Sequence, residues 1–287
     1  MTVKTEKLYQ SPCHKYSDEV TIECYIHEPY SEITKRKRPV MVVFPGGGYE
    51  FTSRREAECI AVSYYSKGYN AYVCNYTVGS GRCERNNPLL DAAAAVKYAR
   101  DHAVEHNNDE DRIAVIGFSA GGHLAGFIAT SYTEQWLCDA LKADSASIKV
   151  NAAVLCYPVV TGGVYAHRGS FDALLGKDVD EKAIFDASLE NRVTESCPPM
   201  FIWTTMSDDA VPAQNSLLIA KALADKKIPY ELHIFPHGRH GLALSDWQSA
   251  PDWDTDRAYI LPDVAKWFDM SIDWLDNRVF GISKQKI

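Results

Sequence analysis

The hydrophobic pattern of the chain alternates between short apolar runs and longer segments that carry apolar residues on one helical face. Residues 20–27 alternate apolar and polar positions, which predicts an antiparallel strand exposed on one face. Residues 39–44 are continuously apolar, as expected of a strand buried on both faces, and further strands are predicted at 69–76, 112–116, 152–157, 200–206 and 230–235. Helices are predicted at 53–68, 89–104, 120–131, 213–226 and 262 to about 275. This alternation predicts an α/β fold, with a mainly parallel central sheet and helices on both faces.

The first predicted helix begins with a recognisable start signal. Ser53 and Glu56 have the spacing of a capping box, in which each side chain accepts a hydrogen bond from a backbone N–H of the first turn. Apolar residues then recur on one face until Gly68. We therefore expect Ser53 and Glu56 to cap this helix.

One long segment interrupts the alternation of strands and helices. Residues 159–199 lie between two core strands and are too long for an ordinary connection. They predict a short helical insertion, and because it leaves and re-enters the sheet at strand ends, we expect it to cover a binding site like a lid. No repeat or linker composition interrupts the rest, so residues 1–287 are expected to form a single domain.

Composition and charge limit the classes of partner. The chain has 287 residues, of which 46% are hydrophobic, and a formal net charge of −8. This charge repels nucleic acids and anionic membranes, so neither is expected as a partner. The basic run at residues 35–38 is expected to be a solvated loop. A small molecule or oligosaccharide is therefore the expected ligand, and a homo-oligomer stays open.

Targeting signals and cysteines suggest a compartment. The first 16 residues lack the apolar stretch of a secretion signal, and no run reaches the length of a membrane span. The eight cysteines are scattered, without a C-x-x-C pair, and several lie within predicted strands. This usage is typical of reduced, buried thiols, so the cytoplasm is the expected location.

Ser119 is surrounded by the smallest residues in "IGFSAGGHLAG", residues 116–126. If strand 112–116 turns directly into a helix near Ala120, Ser119 lies at the apex of the turn. Larger side chains at Gly117 and Gly121 would then collide with the adjacent helix and strand. The sequence G-x-S-x-G is the pattern of a nucleophile elbow, which exposes a serine hydroxyl above a sheet. Because such a pentapeptide also arises by chance, its weight depends on the other groups such chemistry needs.

A nucleophilic serine needs a base, usually a histidine oriented by a carboxylate. Enzymes with this elbow carry the acid and then the histidine on loops after later strands. Asp208 follows strand 200–206 and His240 follows strand 230–235, so both occupy the required positions. Two alternatives are that Asp209 caps a turn and leaves Asp208 inert, and that His237 and His240 bind a metal or lie on the surface. The joint order favours a Ser119–His240–Asp208 triad, with no metal and no cofactor.

Acyl transfer also needs hydrogen-bond donors for the developing oxyanion. The sequence "VVFPGGGYEF" places three glycines directly after the first buried strand, where backbone N–H groups can approach a substrate. A flexible turn is the simpler alternative. We predict that Gly47, Gly48 and Ala120 form the oxyanion hole.

Several other side chains could contact the alcohol portion of a substrate. Tyr49 follows the three glycines at residues 46–48, which we call the oxyanion loop. Tyr157 and Trp203 end core strands. In each case packing in the core or at the rim is the alternative. The same two possibilities hold for His167 and Ser170 in the insertion, and for the two tryptophans after the base, Trp247 and Trp253.

At the level of motifs, the chain resembles one branch of the α/β-hydrolases. The segments "FPGGGY", "GFSAGGHLAG", "HRGSFDALLG", "SDDAVPAQNSL" and "ELHIFPHGRHGLAL" are similar to acetylxylan esterases and sugar-hydrolase-like esterases, near the feruloyl esterase and hormone-sensitive-lipase-like groups. The resemblance extends over roughly residues 20–275 and implies an α/β-hydrolase fold. It assigns the same roles to the same residues: nucleophile Ser119, base His240, acid Asp208, and oxyanion donors Gly47, Gly48 and Ala120.

The chain departs from its relatives at two positions. Pro45 stands where related lipases usually have a histidine, and Thr204 where relatives often have one. The functions of those histidines are therefore not carried over.

These observations support a serine esterase acting on short-chain, acetyl esters of xylo-oligosaccharides or other sugars. A small amidase or peptidase of the same fold is one alternative. A second is a non-enzymatic binding module, although such proteins tend to lose a triad residue and all three are present here.

Overall fold

The computed structural model describes residues 1–33, 36–83 and 86–282. Its centre is an eight-stranded sheet in the order β1-β2-β4-β3-β5-β6-β7-β8. The strands are β1 (Thr2–Lys7), β2 (Thr21–Ile26), β3 (Arg38–Phe44), β4 (Asn70–Asn75), β5 (Asn108–Phe118), β6 (Ala152–Cys156), β7 (Met200–Thr205) and β8 (Tyr230–Phe235). Only β2 runs against its neighbours, and β3 to β8 are parallel. The prediction of a mainly parallel sheet is confirmed.

Helices cover both faces of this sheet. They are α1 (Glu58–Ser66), α2 (Asn87–Asp101), α3 (Ala120–Ser131), α4 (Gln135–Leu141), α5 (Arg168–Leu175), α6 (Glu181–Ala187), α7 (Gln214–Asp225), α8 (Pro262–Ala265) and α9 (Trp267–Asp273). One core unites α2, α3, α4 and α7 with one sheet face, and a second unites α1, α8 and α9 with the other. The layers are those of an α/β-hydrolase fold, as predicted.

Continuous apolar runs mark the strands that are buried on both faces. Every residue of β7 is buried, and in β3 only Arg38 is partly accessible. By contrast, β2 shows the mixed burial of an antiparallel strand nearer the edge. Burial on two faces leaves no solvent-facing row for polar residues, which is why the sequence pattern located the central strands well.

Some elements differ from the sequence expectations. The pattern missed β1, most of whose side chains are accessible, and the short helix α4. The predicted terminal helix is divided at Lys266 into α8 and α9, and a π-helical segment, Trp274–Val279, follows. The capping box is wrong, because Ser53 makes no side-chain cap. Glu56 is instead buried and bonded elsewhere, as described below.

The insertion is helical, as expected. Residues 159–199 contain α5, α6 and a 3-10 turn, Leu189–Asn191. Of the basic run, Lys35 lies outside the described residues, Arg36 and Lys37 are exposed, and Arg38 begins β3. In the described part of the chain, no helix has the length and apolar character needed to span a bilayer.

Candidate active site

Ser119 occupies a strained turn between β5 and α3. Its φ of 55° and ψ of −118° place a non-glycine residue in a disfavoured backbone region. A methyl group added to Gly117 would lie 1.9 Å from the Gly121 oxygen, and one added to Gly121 would lie 2.1 Å from the Phe44 oxygen. Both glycines are therefore required by the close contact of strand and helix. This packing holds the Ser119 hydroxyl at the carboxyl end of the parallel strands.

Three of the predicted side chains form one hydrogen-bonded chain. His240 Nε2 lies 2.7 Å from Ser119 Oγ, and His240 Nδ1 lies 2.8 Å from Asp208 Oδ2. The Asp208 carboxylate is almost fully buried, while the His240 side chain keeps 18% of its surface accessible. The loops after β7 and β8 carry the acid and the histidine, and the turn after β5 carries the serine.

The carboxylate fixes the proton positions on His240. Because a carboxylate accepts hydrogen bonds, the Nδ1 of neutral His240 carries the proton, and this N–H donates a hydrogen bond to Asp208. The lone pair on Nε2 therefore faces Ser119 Oγ, which donates to it. This arrangement places a hydrogen-bond acceptor of the imidazole directly against the Ser119 hydroxyl.

Both aspartates of the acid loop support this geometry. Asp208 Oδ1 accepts hydrogen bonds from the backbone N–H groups of Ala210 and Val211, at 2.9 and 2.7 Å. Asp209 Oδ1 accepts from the backbone N–H of His240 at 3.0 Å, and its other oxygen pairs with Arg239. The bond from His240 and the bond from Arg239 lower the pKa of Asp209 below its ordinary value. Asp208 thus orients the ring and Asp209 orients the backbone of the same residue.

The predicted oxyanion donors line the same cleft or adjoin it. Gly47 and Gly48 line the cleft, and within the described chain neither backbone N–H donates to a protein acceptor. Ala120 is the first residue of α3, so its N–H has no partner within that helix. Among the described residues these three amides thus have no protein acceptor, and those of Gly47 and Gly48 belong to residues that line the cleft.

Ser119 and His240 open onto a cleft of about 640 Å³. The oxyanion loop forms one wall, and the insertion contributes His167 and Gly169. Two aromatic rings at the cleft, Phe51 and Trp253, are 61% and 64% exposed. Accessible aromatic faces of this kind can stack on the apolar face of a ligand. Across the described ranges, His, Cys, Asp and Glu side chains form no group of three or more that would hold a metal ion.

A buried carboxylate, not anticipated from the sequence, links the oxyanion loop to the loop of His240. Glu56 accepts a hydrogen bond from the Gly46 N–H at 2.8 Å and another from the Tyr157 hydroxyl at 2.6 Å. The Tyr157 oxygen in turn accepts from the Ala243 N–H at 2.9 Å, and the Tyr157 ring packs edge-on against His240. Glu56 therefore links the loop before Gly47 and Gly48 to the loop that follows His240.

Three predicted substrate contacts are wrong. Tyr49 is buried, and its hydroxyl bonds to His123 Nδ1 at 2.7 Å. Tyr157 is committed to Glu56, as described above. Trp203 is fully buried and stacks on Trp267 with 5.1 Å between ring centroids. Each residue lies at a strand end or in a loop near the cleft, but its side chain points into the core. The residue type alone does not indicate the direction of the side chain.

The remaining candidates separate by position. His167 and Trp253 line the cleft, whereas Ser170 is buried behind His167 and bonds to its ring. Trp247 is 81% exposed and does not line the cleft. Of these residues, only His167 and Trp253 are placed to touch a ligand directly.

The fold and the site together define an α/β-hydrolase. The BD-FAE family model matches residues 26–223, more than half of the chain. The chain therefore belongs to the BD-FAE family.

Individual relatives point to the same class. The chain is 36% identical over 219 residues to endo-1,4-beta-xylanase B of Butyrivibrio fibrisolvens. The aligned residues cover 76% of this chain and 34% of the xylanase. It is 28% identical over 233 residues to the acetylxylan esterase of Xylanibacter ruminicola, covering 79% of this chain and 44% of the esterase. The chain thus spans less than half the length of either relative.

A solved structure matches over nearly its whole length. The acetyl ester-xyloside bifunctional hydrolase of Caldicellulosiruptor lactoaceticus is similar at a TM-score of 0.78 and 33% identity, covering 96% of each chain. The described domain is accordingly a carboxylic ester hydrolase of the α/β-hydrolase fold.

Proposed function

We propose that this protein removes acetyl groups from xylo-oligosaccharides or other acetylated sugars through a covalent acyl-enzyme on Ser119. The observation that carries the proposal is the continuous chain from Asp208 through His240 to Ser119, which opens onto a cleft beside unpartnered amides. The names of the acetylxylan esterase and of the acetyl ester-xyloside hydrolase support the choice of acetyl and sugar groups.

In the first half of the reaction, Ser119 Oγ attacks the carbonyl carbon while His240 Nε2 takes its proton. The carbonyl oxygen becomes an oxyanion that accepts from the N–H groups of Gly47, Gly48 and Ala120. As this intermediate collapses, the bond from the carbonyl carbon to the alcohol oxygen breaks, and His240 protonates the departing alcohol. Water, deprotonated by His240, then attacks the acetyl ester of Ser119. Acetate leaves, and the serine recovers its proton.

The character of the cleft supports a sugar as the alcohol. Phe51 and Trp253 offer exposed aromatic faces, while Glu50, Arg55 and His167 add polar side chains to the same cleft. A cleft with both features suits a ring that carries hydroxyl groups on its edge and C–H groups on its face.

The proposal is tested by measuring acetate released from acetylated xylo-oligosaccharide and from 4-nitrophenyl acetate. Ser119→Ala is expected to lower turnover by about 10⁶, because the triad acts as a unit. Ser66→Ala, an exposed serine at the end of α1, is the matched control and should keep full activity. Acetate release that persists in Ser119→Ala would overturn the assignment of the nucleophile.

One substrate comparison and one labelling experiment separate this proposal from its alternatives. Faster hydrolysis of an N-formyl aromatic amine than of the acetyl esters would favour an amidase. Failure of Ser119 to react with an organophosphorus serine reagent would favour a binding module without activity.

We also propose a cytoplasmic location. All eight cysteines are unpaired, and only Cys13 is exposed. Burial raises the pKa of the thiols of Cys24, Cys59 and Cys83 to about 12, which keeps them protonated and unreactive. Fractionation of the source cells, followed by detection of the protein, tests the location.

A further inference from the structure

We propose that His167 forms a subsite that donates a hydrogen bond to a hydroxyl or ether oxygen on the alcohol portion of the substrate, next to the ester being cleaved. The subsite rests on the proposed function, because it gives a specificity group to that reaction. Its basis is the position of the His167 imidazole in the cleft and the contacts that fix its tautomer.

The first step is the hydrogen bonding of His167 Nδ1. This atom accepts a hydrogen bond at 3.3 Å from the backbone N–H of Ser170, which also donates to the His167 carbonyl oxygen at 3.0 Å, and it lies 2.8 Å from Ser170 Oγ. Because a backbone N–H can only donate, Nδ1 of His167 is unprotonated and the ring proton is on Nε2. The imidazole therefore offers a donor, whereas His240 offers an acceptor.

The second step is that this donor is unused by the protein. His167 lines the cleft with Ser119 and His240, and its Nε2 has no hydrogen-bond partner among the described residues. Glu50 and Arg55, two other polar residues of the cleft, already bond within the protein: Glu50 to Ser80, and Arg55 to two backbone carbonyls. His167 is thus a polar group left open to a ligand.

The third step is that the ring is held in place before any ligand arrives. Ser170 is buried, and a methyl group on Gly48 would lie 3.9 Å from Ser170 Oγ, so the start of α5 rests beside the oxyanion loop.

Burial lowers the pKa of His167 below its ordinary value, and the positive charge that His240 can carry lowers it further. The neutral Nε2–H tautomer is therefore the form present at neutral pH.

The fourth step assigns the subsite to the alcohol side. His167 and His240 both line the cleft, and the charge that His240 can carry acts on the His167 ring, so we assign both rings to one part of the cleft. His240 protonates the departing alcohol oxygen, so atoms attached to that alcohol come closest to this part of the cleft. The acyl oxygen is served instead by the amides of the oxyanion loop. A vicinal oxygen of the alcohol, as in a sugar or a glycol, is the acceptor that fits.

The test uses three acetates that differ at one position: ethyl acetate, 2-hydroxyethyl acetate and 2-methoxyethyl acetate. The wild type should show a higher kcat/KM for both oxygen-bearing esters than for ethyl acetate, by roughly three- to tenfold for one neutral hydrogen bond. The methoxy ester should keep the preference, because its oxygen can accept but cannot donate.

Variants then assign the preference to the ring. His167→Phe keeps the ring shape without a donor and should remove the preference, so that the three esters are hydrolysed with similar kcat/KM. His167→Gln keeps an N–H donor and should retain part of the preference. His237→Phe, which replaces an exposed histidine outside the cleft, is the matched control and should behave as wild type.

The outcomes distinguish the subsite from the proposed function. Equal losses on all three esters in His167→Phe, or a preference that survives that substitution, would overturn the subsite while leaving the esterase intact. A wild type that prefers the hydroxy ester but rejects the methoxy ester would overturn the donor role. If the wild type hydrolyses none of the acetates, both the proposed function and the subsite fail.

Discussion

Two histidines face the same cleft with opposite hydrogen-bonding capacity. In the loop after β8, His240 Nδ1 meets a carboxylate, so that Nε2 is a base directed at Ser119. In the insertion, His167 Nδ1 accepts a hydrogen bond from a backbone N–H, so that Nε2 is a donor. Among the described residues this donor has no acceptor. The side chain is the same in both regions. The partner of Nδ1 decides whether Nε2 can accept or donate a hydrogen bond.

The largest effect that bears on this comparison should come from Asp208→Asn. Without the carboxylate, His240 can adopt the Nε2–H tautomer, with Nδ1 accepting from the asparagine amide, and it then resembles His167. We expect kcat to fall by about 10⁴ with little change in folding. Steady-state kinetics on 4-nitrophenyl acetate measures this fall.

Asp209→Asn is the matched control for that substitution. Its amide oxygen can still accept from the backbone N–H of His240, so we expect a loss no larger than about tenfold. If the two variants lost equal activity, the distinct role of the Asp208 carboxylate would be contradicted.

A third histidine extends the comparison into the core. His123, in α3, is fully buried, donates from Nε2 to the Ala187 carbonyl and accepts from the Tyr49 hydroxyl. Burial lowers its pKa from 6.5 to about 4. As pH falls below 6.5 the unfolded chain binds a proton before the folded protein does, so this group makes the protein less stable down to about pH 4. The loss is about 1.4 kcal/mol per pH unit, or roughly 3 kcal/mol over the window.

Urea unfolding at several pH values checks this contribution, with His123→Gln as the comparison protein. The wild type should lose stability more steeply than the variant between pH 6.5 and 4, and the two slopes should converge above pH 7. Parallel slopes throughout would show that His123 is not held neutral by burial.

A smaller effect is expected from Tyr157→Phe, which tests the support behind His240. The substitution leaves a Glu56 oxygen and the Ala243 N–H without partners and should destabilise the protein by about 1–3 kcal/mol. Because both catalytic loops lose a shared anchor, we also expect kcat to fall by about tenfold.

Tyr64→Phe is the control for that variant. It removes a buried hydroxyl that bonds to Ser271, on a residue that does not line the cleft, and should leave kcat unchanged. A Tyr157→Phe enzyme with full kcat would limit Tyr157 to a structural role.

The sequence was most informative where chemistry and topology coincide. Ser119, Asp208 and His240 each follow a parallel strand, and the carboxyl ends of such strands meet at one edge of the sheet. Spacing along the chain could therefore indicate that their side chains come together. The role of the glycines beside Ser119 could also be predicted, because a close contact of strand and helix excludes larger side chains at those positions.

Side-chain direction was the part that sequence could not supply. Tyr49 and Trp203 are residue types that often bind sugars, yet both point into the core. Glu56 matched a capping pattern, but its partners, Gly46 and Tyr157, are set by tertiary contacts across the sheet edge. For His123 the available signal was a histidine within an otherwise apolar helix, which indicates a buried and bonded ring.

The most direct test of the account is to identify the covalent intermediate. The protein is mixed with 4-nitrophenyl acetate, quenched with acid within the first turnover, digested and analysed by mass spectrometry. We predict a single acetyl group on the Ser119 hydroxyl, absent from Ser119→Ala and formed far more slowly in Asp208→Asn. An acetyl group on another residue, or rapid turnover without acetylation of Ser119, would contradict the account.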